Sequence, residues 1–184
     1  AASDVYKGQY KESIVFDVGA AVGATSRIFC KDAKIVYSFE PNLENFNTLK
    51  DIIYLERITN IKPSNVAVSN QNSVLKFHNR ESHGVHSLGK HPKGKVLKTT
   101  EIQSIRLDDF YQNNFHNGET IGLLKIDTEG FELKVLKSLG EKIKNVKTIH
   151  FEHHFDDMIV KNYNLTNIHN YLKVRQIFLR LFLQ

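Results

Sequence analysis

The run Ile14-Val15-Phe16-Asp17-Val18-Gly19-Ala20-Ala21-Val22-Gly23 constrains this chain more than any other. A short apolar run closed by an acid and a glycine predicts a buried strand. Small residues follow, and the pattern predicts a helix over 21–29. Strand, tight turn and helix form the opening unit of an open α/β sheet, whose ligands bind beyond the carboxyl ends of the strands. Gly19 permits a tight turn, and Gly23 a close approach of chain or ligand. Alone, the segment is equally compatible with a turn that holds no ligand.

The rest of the chain repeats the rhythm. Apolar runs predict strands at 35–39, 65–68, 122–127 and 148–152. Between them, spacing predicts helices from Pro41 and Asn42 to about Glu56, over 131–143 and over 165–174. Residues 176–183 alternate like a last strand. Such alternation implies a mostly parallel sheet with helices on both faces, a Rossmann-like α/β fold. Segments 73–78 and 99–107 read as additional strands, a hairpin or an edge addition. Between them, 79–98 is rich in His, Gly and Lys and reads as a loop. No repeat or low-complexity linker interrupts the 184 residues, so one domain over 1–184 is expected.

Composition narrows the class. A hydrophobic fraction of 41% and a charged fraction of 24% are ordinary for a globular protein. No apolar run approaches the roughly 18–20 residues of a membrane span. The opening AASDVYKGQYKES lacks the apolar centre of a signal peptide and an initiator Met. The single Cys30 has no partner for an internal disulfide, which fits a cytoplasmic location. A net charge of +5 is compatible with an anionic partner.

The glycine loop reads D-x-G-x-x-x-G rather than the G-x-G-x-x-G that seats a pyrophosphate on a bare helix N-terminus. A carboxylate at Asp17 repels a pyrophosphate but accepts hydrogen bonds from an ammonium group. S-adenosylmethionine carries an ammonium group, a sulfonium and no phosphate. Glu40, followed by Pro41, stands at the tip of the second predicted strand, about 20 residues beyond Gly19, where an acid accepts ribose hydroxyls. Its other reading is a carboxylate serving the following helix dipole. Asn65 and Val66, at the third predicted strand, are candidates to flank an adenine. With their loop neighbours Ala20 and Ser26, the candidate cofactor set is Asp17, Gly19, Ala20, Gly23, Ser26, Glu40, Pro41, Asn65 and Val66.

Five segments closely resemble the FkbM-type family of S-adenosylmethionine-dependent methyltransferases. They are FDVGAAVGATS, YSFEPNLENFNTL, NVAVSN, IRLDDF and LLKIDTEGFELKVLKSL, in order along most of the chain. The last, with its K-I-D-T-E-G-F-E core, is the most specific. The resemblance implies a class I methyltransferase fold and O-methylation of a hydroxyl on a sugar, glycan or other small molecule. It assigns Asp17, Gly19 and Gly23 to the methionine end and Glu40 to the ribose. Two departures stand out. Ala21 occupies a place that is often polar in the family, and the antiparallel hairpin that usually ends the fold is incomplete in this sequence.

Methyl transfer from a sulfonium needs an in-line acceptor and, for a hydroxyl, a group that takes its proton. Asp127 and Glu129, at and just past the fourth predicted strand, are candidates for base or orienter. Their structural readings are a turn acceptor and a helix cap. Glu132 reads as a helix-surface or capping residue. His153 or His154, after the fifth predicted strand, is a candidate base near neutral pH. No ligand spacing is diagnostic of a metal, and none is assigned. The basic loop from His78 to Lys98, with His78, Arg80, His83, His86, Lys90, His91, Lys93, Lys95 and Lys98, suits a phosphorylated or nucleotide-linked acceptor as a cluster, while each residue singly reads better as part of a solvated loop. No run interleaves aromatic and basic residues as a nucleic-acid platform does. The alternatives are a nucleic-acid 2′-O-methyltransferase and a non-catalytic cofactor-binding domain.

Overall fold

The computed structural model describes residues 10–80, 96–151 and 163–175. Its centre is a five-stranded, wholly parallel sheet. Strands β1 (Ile14–Val18), β2 (Ile35–Phe39), β3 (Ile61–Ser64), β7 (Ile121–Ile126) and β8 (Val146–Phe151) lie in the order β3-β2-β1-β7-β8. All five residues of β1 and all six of β7 are buried, as central strands covered on both faces must be. Their side chains alternate between two cores. Ile14, Phe16 and Val18 join Leu124 and Ile126 in the larger one, and Val15 joins Val36 and Leu123 in the smaller.

Helices cover both faces. α1 (Ala24–Phe29) closes the smaller core through Phe29, with Ile53 of α2 (Leu43–Leu55) packed against it. On the other face, α3 (Leu107–Asn114), α4 (Glu132–Ser138) and α5 (Leu165–Val174) supply Tyr111, Leu136 and Leu172. Phe16, Phe39 and Phe110 meet edge to face with centroids 5.1–5.7 Å apart, a geometry that favours aromatic pairs beyond their buried area. A second sheet lies beside the first. In it, β6 (Val96–Ile105) pairs antiparallel with β5 (Ser73–Arg80) and parallel with the short β4 (Ala67–Val68). The expected extra strands are therefore a hairpin.

Several expected boundaries move, each for a local reason. α1 begins at Ala24 rather than 21, because Ala21 (φ 49°) and Gly23 (φ 89°) are left-handed. The third strand of the main sheet is β3, not 65–68. Pro63 argues against a central strand, but β3 is an edge strand, where proline is tolerated. Ala67–Val68 belongs to the second sheet instead. The helix expected over 131–143 ends at Ser138, and after it Gly140 (φ 50°) opens a 3₁₀ turn, Gly140–Asn145. α3 had not been expected; Asp108 and Asp109 in its first turn are the signal for it. The predicted strand at 176–183 lies outside the described residues.

Candidate functional site

A cleft opens beyond the carboxyl ends of β1, β2 and β7. Val18, Gly19 and Ala21 form one wall, and Phe39, Glu40, Pro41 and Asn45 continue it. Val66, Ala67, Val68 and Phe77, from the second sheet and its approach, form an apolar side, and Asp127, Thr128 and Glu129 close the cleft from β7.

Gly19 is forced by packing. Its φ is 80°, and a Cβ there would lie 1.8 Å from the Asp127 carbonyl oxygen. The close approach holds the β1 loop against the end of β7, where Asp127 N donates to Val18 O at 2.9 Å. Gly23 answers to the chain as well, since a Cβ there would meet Leu49 Cδ1 at 2.3 Å.

Asp17 lies beneath the cleft rather than on its wall. It is wholly buried, because its place in β1 aims it toward α1. Its Oδ2 accepts from Thr25 Oγ1 at 2.9 Å and Ser26 Oγ at 2.6 Å, and Ser26 Oγ also meets Ser38 Oγ at 2.8 Å. Its Oδ1 pairs with Lys125 Nζ at 3.3 Å. Lys125 was not singled out in the sequence, yet it ties the site together. The strand register places it beside Asp17. Its ammonium also stands 3.3 Å from Asp127 Oδ2 and donates to Gly19 O at 3.2 Å. Burial pulls this ammonium down, but Asp17 and Asp127 outweigh it, and the net shift is upward.

Glu40 is buried at the cleft wall. Oε2 accepts from Ala21 N and Oε1 from Asn42 N, each at 2.8 Å. A carboxylate has about four acceptor positions, so capacity remains for hydroxyl donors. Burial pushes the Glu40 carboxyl above its usual range, against the pull of these two backbone bonds. Asn65 spends its side-chain amide on the Glu40 and Pro41 carbonyls, at 2.9 and 3.1 Å, and so braces the β2 end from outside the cleft. Val66 reaches the cleft itself.

The turn after β7 carries the remaining acids. Glu129 is left-handed at φ 51°, and Gly130 follows at φ 103°. Glu132 was expected on the helix surface or as a cap; it is not on the surface, with 1% of its area exposed, but it does bond the backbone ahead of its own helix. Its Oε1 accepts from Gly130 N at 2.8 Å and Thr128 Oγ1 at 3.2 Å, and its Oε2 accepts from the Tyr163 hydroxyl. Burial and the neighbouring Glu132 together push the Tyr163 phenol well above its ordinary value. His150 stands beside Lys125 in the ladder, and burial, then Lys125, hold its imidazole below the usual 6.5. His153 and His154, and most of the basic loop, lie outside the described residues. Among the described residues, no group of three or more His, Cys, Asp or Glu is placed to hold a metal ion, and no helix is long and apolar enough to cross a membrane.

The donor set shows which ligand the cleft fits. A phosphate site needs backbone N–H groups aimed at the anion. Here Gly19 N and Ala20 N donate to Phe39 O, Ala21 N to Glu40, and Gly23 N to Ala20 O. The loop's donors are thus largely spent within the protein, and the ionisable groups on the cleft wall are Glu40, Asp127 and Glu129. That surface fits a cationic, hydroxyl-bearing, phosphate-free ligand such as S-adenosylmethionine.

Comparison with known proteins agrees. The sequence matches the Methyltransferase FkbM domain over residues 17–180. It is 27% identical over 146 residues to the hexuronic acid methyltransferase AglP of Haloferax volcanii, covering 78% of this chain and 57% of that protein. The chain therefore spans little more than half the length of this curated relative. The fold is similar to the FkbM methyltransferase structure from Methylobacillus flagellatus, with a TM-score of 0.59 at 19% identity over 90% of this chain and 38% of that one. It is also similar to an rRNA methylase from Streptococcus thermophilus, with a TM-score of 0.53 at 12% identity over 94% of this chain and 76% of that one. With the match running through both the glycine loop and the K-I-D-T-E-G turn, the chain belongs to the FkbM family of S-adenosylmethionine-dependent methyltransferases.

Proposed function

We propose that this chain binds S-adenosylmethionine in the cleft and directs its methyl group to a hydroxyl of a sugar or glycan. The observation that carries the reading is the acid-lined cleft at the carboxyl ends of a parallel sheet, with its loop N–H groups already spent. The bound cofactor supplies an electrophilic methyl group on a cationic sulfur. Glu40 accepts the ribose hydroxyls, held in place by the N–H groups of Ala21 and Asn42. Gly19 and Pro41 shape the wall around it, and the buried Ala20 ties the loop to the β2 end by donating its N–H to Phe39 O. Asp17 and Ser26 act from below, through Lys125 and the packing of α1. Gly23, through Leu49, and Asn65, through the β2 end, set the position of the loops.

On the acceptor side, Asp127 and Glu129 offer carboxylates within the cleft. One orients the acceptor hydroxyl and one takes its proton, with His153 the further candidate. The likeness to AglP, a hexuronic acid methyltransferase, makes hexuronic acids the first acceptors to test.

The test is calorimetry with S-adenosylmethionine, followed by transfer of a labelled methyl group to a panel of uronic acids, neutral sugars and RNA. Binding with label on a sugar is the expected result. No binding by the folded protein would sink the proposal, and label on RNA alone would replace it with nucleic-acid methylation.

A further inference from the structure

The family reading leaves one buried acid unexplained. Glu132 has 1% of its area exposed, a costly place for a carboxylate without partners. Its partners all serve one purpose. Oε1 takes Gly130 N and Thr128 Oγ1, which brackets Glu129 on either side. Oε2 takes the hydroxyl of Tyr163, which stands just ahead of α5. The bracketed residue has a left-handed backbone, which a glutamate adopts only at a cost and only when its surroundings enforce it. On the other side of this turn, Asp127, Thr128 and Glu129 are the residues that face the cleft.

The structure assigns Glu132 as a positioning residue: its buried carboxylate, anchored by Tyr163, moulds the 128–130 turn so that the acidic edge of the cleft faces the cofactor's charged sulfur. This rests on S-adenosylmethionine as the ligand of the cleft. Glu132 touches neither cofactor nor acceptor in this account. It acts through where it places Asp127 and Glu129.

The donor and its product make the test selective. S-adenosylmethionine carries a sulfonium; S-adenosylhomocysteine has the same adenosyl and amino-acid groups but a neutral sulfur. An acidic edge held in place favours the cation, so the ratio of the two affinities reports its position. Affinities for both compounds are measured by calorimetry on wild type, Glu132→Gln, Glu132→Ala and Tyr163→Phe. Exchange of the Gly130 amide is followed in the same proteins without cofactor. Glutamine keeps an oxygen for Gly130 and Thr128 and can donate to Tyr163. It should preserve the wild-type ratio within about threefold. Alanine should lower the donor-to-product ratio about tenfold, leave product affinity within about threefold, and speed Gly130 exchange by about tenfold or more. Tyr163→Phe should fall between them.

The assignment is overturned if alanine speeds exchange without moving the ratio, or if glutamine falls as far as alanine. It is also overturned if Gly130 exchange is unchanged in the alanine variant. Should that variant fail to fold, Tyr163→Phe decides, and a wild-type ratio there overturns the assignment. The exchange measurement needs no ligand. A wild type that binds neither compound would therefore count against the proposed function, while exchange still decides whether Glu132 moulds the turn.

Discussion

Lys125→Met removes the cation that touches both Asp17 and Asp127. Asp127 is partly exposed and can be served by water, so the cost falls on Asp17, which is wholly buried. Removing one partner of a buried ion pair costs about 3–5 kcal/mol, because the other charge is stranded. Two hydroxyls, from Thr25 and Ser26, still solvate Asp17, so the low end, about 3 kcal/mol, is expected. For a chain of this size each kcal/mol lowers Tm by about 2–4 °C, which gives a drop of about 6–12 °C. Adding Asp17→Asn removes the stranded charge, and the double variant should recover about 2 kcal/mol of the loss. The pH dependence carries a sign. The Lys125 ammonium sits above its ordinary value of 10.5. Its contribution is therefore fully present below that value and is lost as pH rises through the higher value of the folded state. The gap between wild type and Lys125→Met should stay flat from neutral pH up to the ordinary lysine range and shrink above it. Urea and thermal unfolding of wild type, Lys125→Met and the double variant across pH measure all of this. A loss under about 1 kcal/mol for Lys125→Met, or no recovery in the double variant, would refute the reasoning.

Further outcomes are expected at the same site. Gly19→Ala places a methyl group 1.8 Å from the Asp127 carbonyl oxygen at a left-handed φ; it should cost at least about 2 kcal/mol and most of the cofactor affinity, and wild-type unfolding and binding curves would contradict it. Ser26→Ala removes a buried hydroxyl from Asp17 and Ser38 and should cost about 1.5–3 kcal/mol by urea unfolding, with a change under about 0.5 kcal/mol counting against a stabilising buried hydrogen-bond network. Burial holds the Glu40 carboxyl above its ordinary 4.5, so on acidification cofactor affinity should begin to fall at a higher pH than an ordinary glutamate would dictate. In the apo protein the sign is opposite: the stability this group contributes is present below the ordinary glutamate value and lost as pH rises through the folded one. Calorimetry across pH checks the first, and affinity flat down to 4.5 would exclude Glu40 as the ribose acceptor.

The legible parts of the fold were those whose signal is local. β1, β2 and α2 follow from continuous apolar runs, a capping Asn42 and a regular apolar stripe. β3 was not legible because Pro63 speaks against a strand until its edge position is known. α3 was hidden by the β-rich run that leads into it. The same division holds at the site. Glu40 and Asp127 announce themselves by standing at strand ends. Lys125 and Glu132 read as an ordinary strand lysine and helix glutamate, because their partners lie on other elements: Asp17 on β1 for one, and Tyr163 ahead of α5 for the other.

Pro63 also limits what this sheet can join. Val36 N donates to Asn60 O and Glu40 N to Ser64 O, so the even-numbered residues of this stretch carry the ladder to β2. Pro63 therefore turns the side that would bear its N–H outward, along the edge of β3 that no other described strand pairs with. A foreign strand seeking to extend the sheet there would find a missing donor and a bulky ring, the sort of device that discourages edge-to-edge aggregation. Growth of the sheet by strand exchange or self-association is thereby steered away from the β3 border.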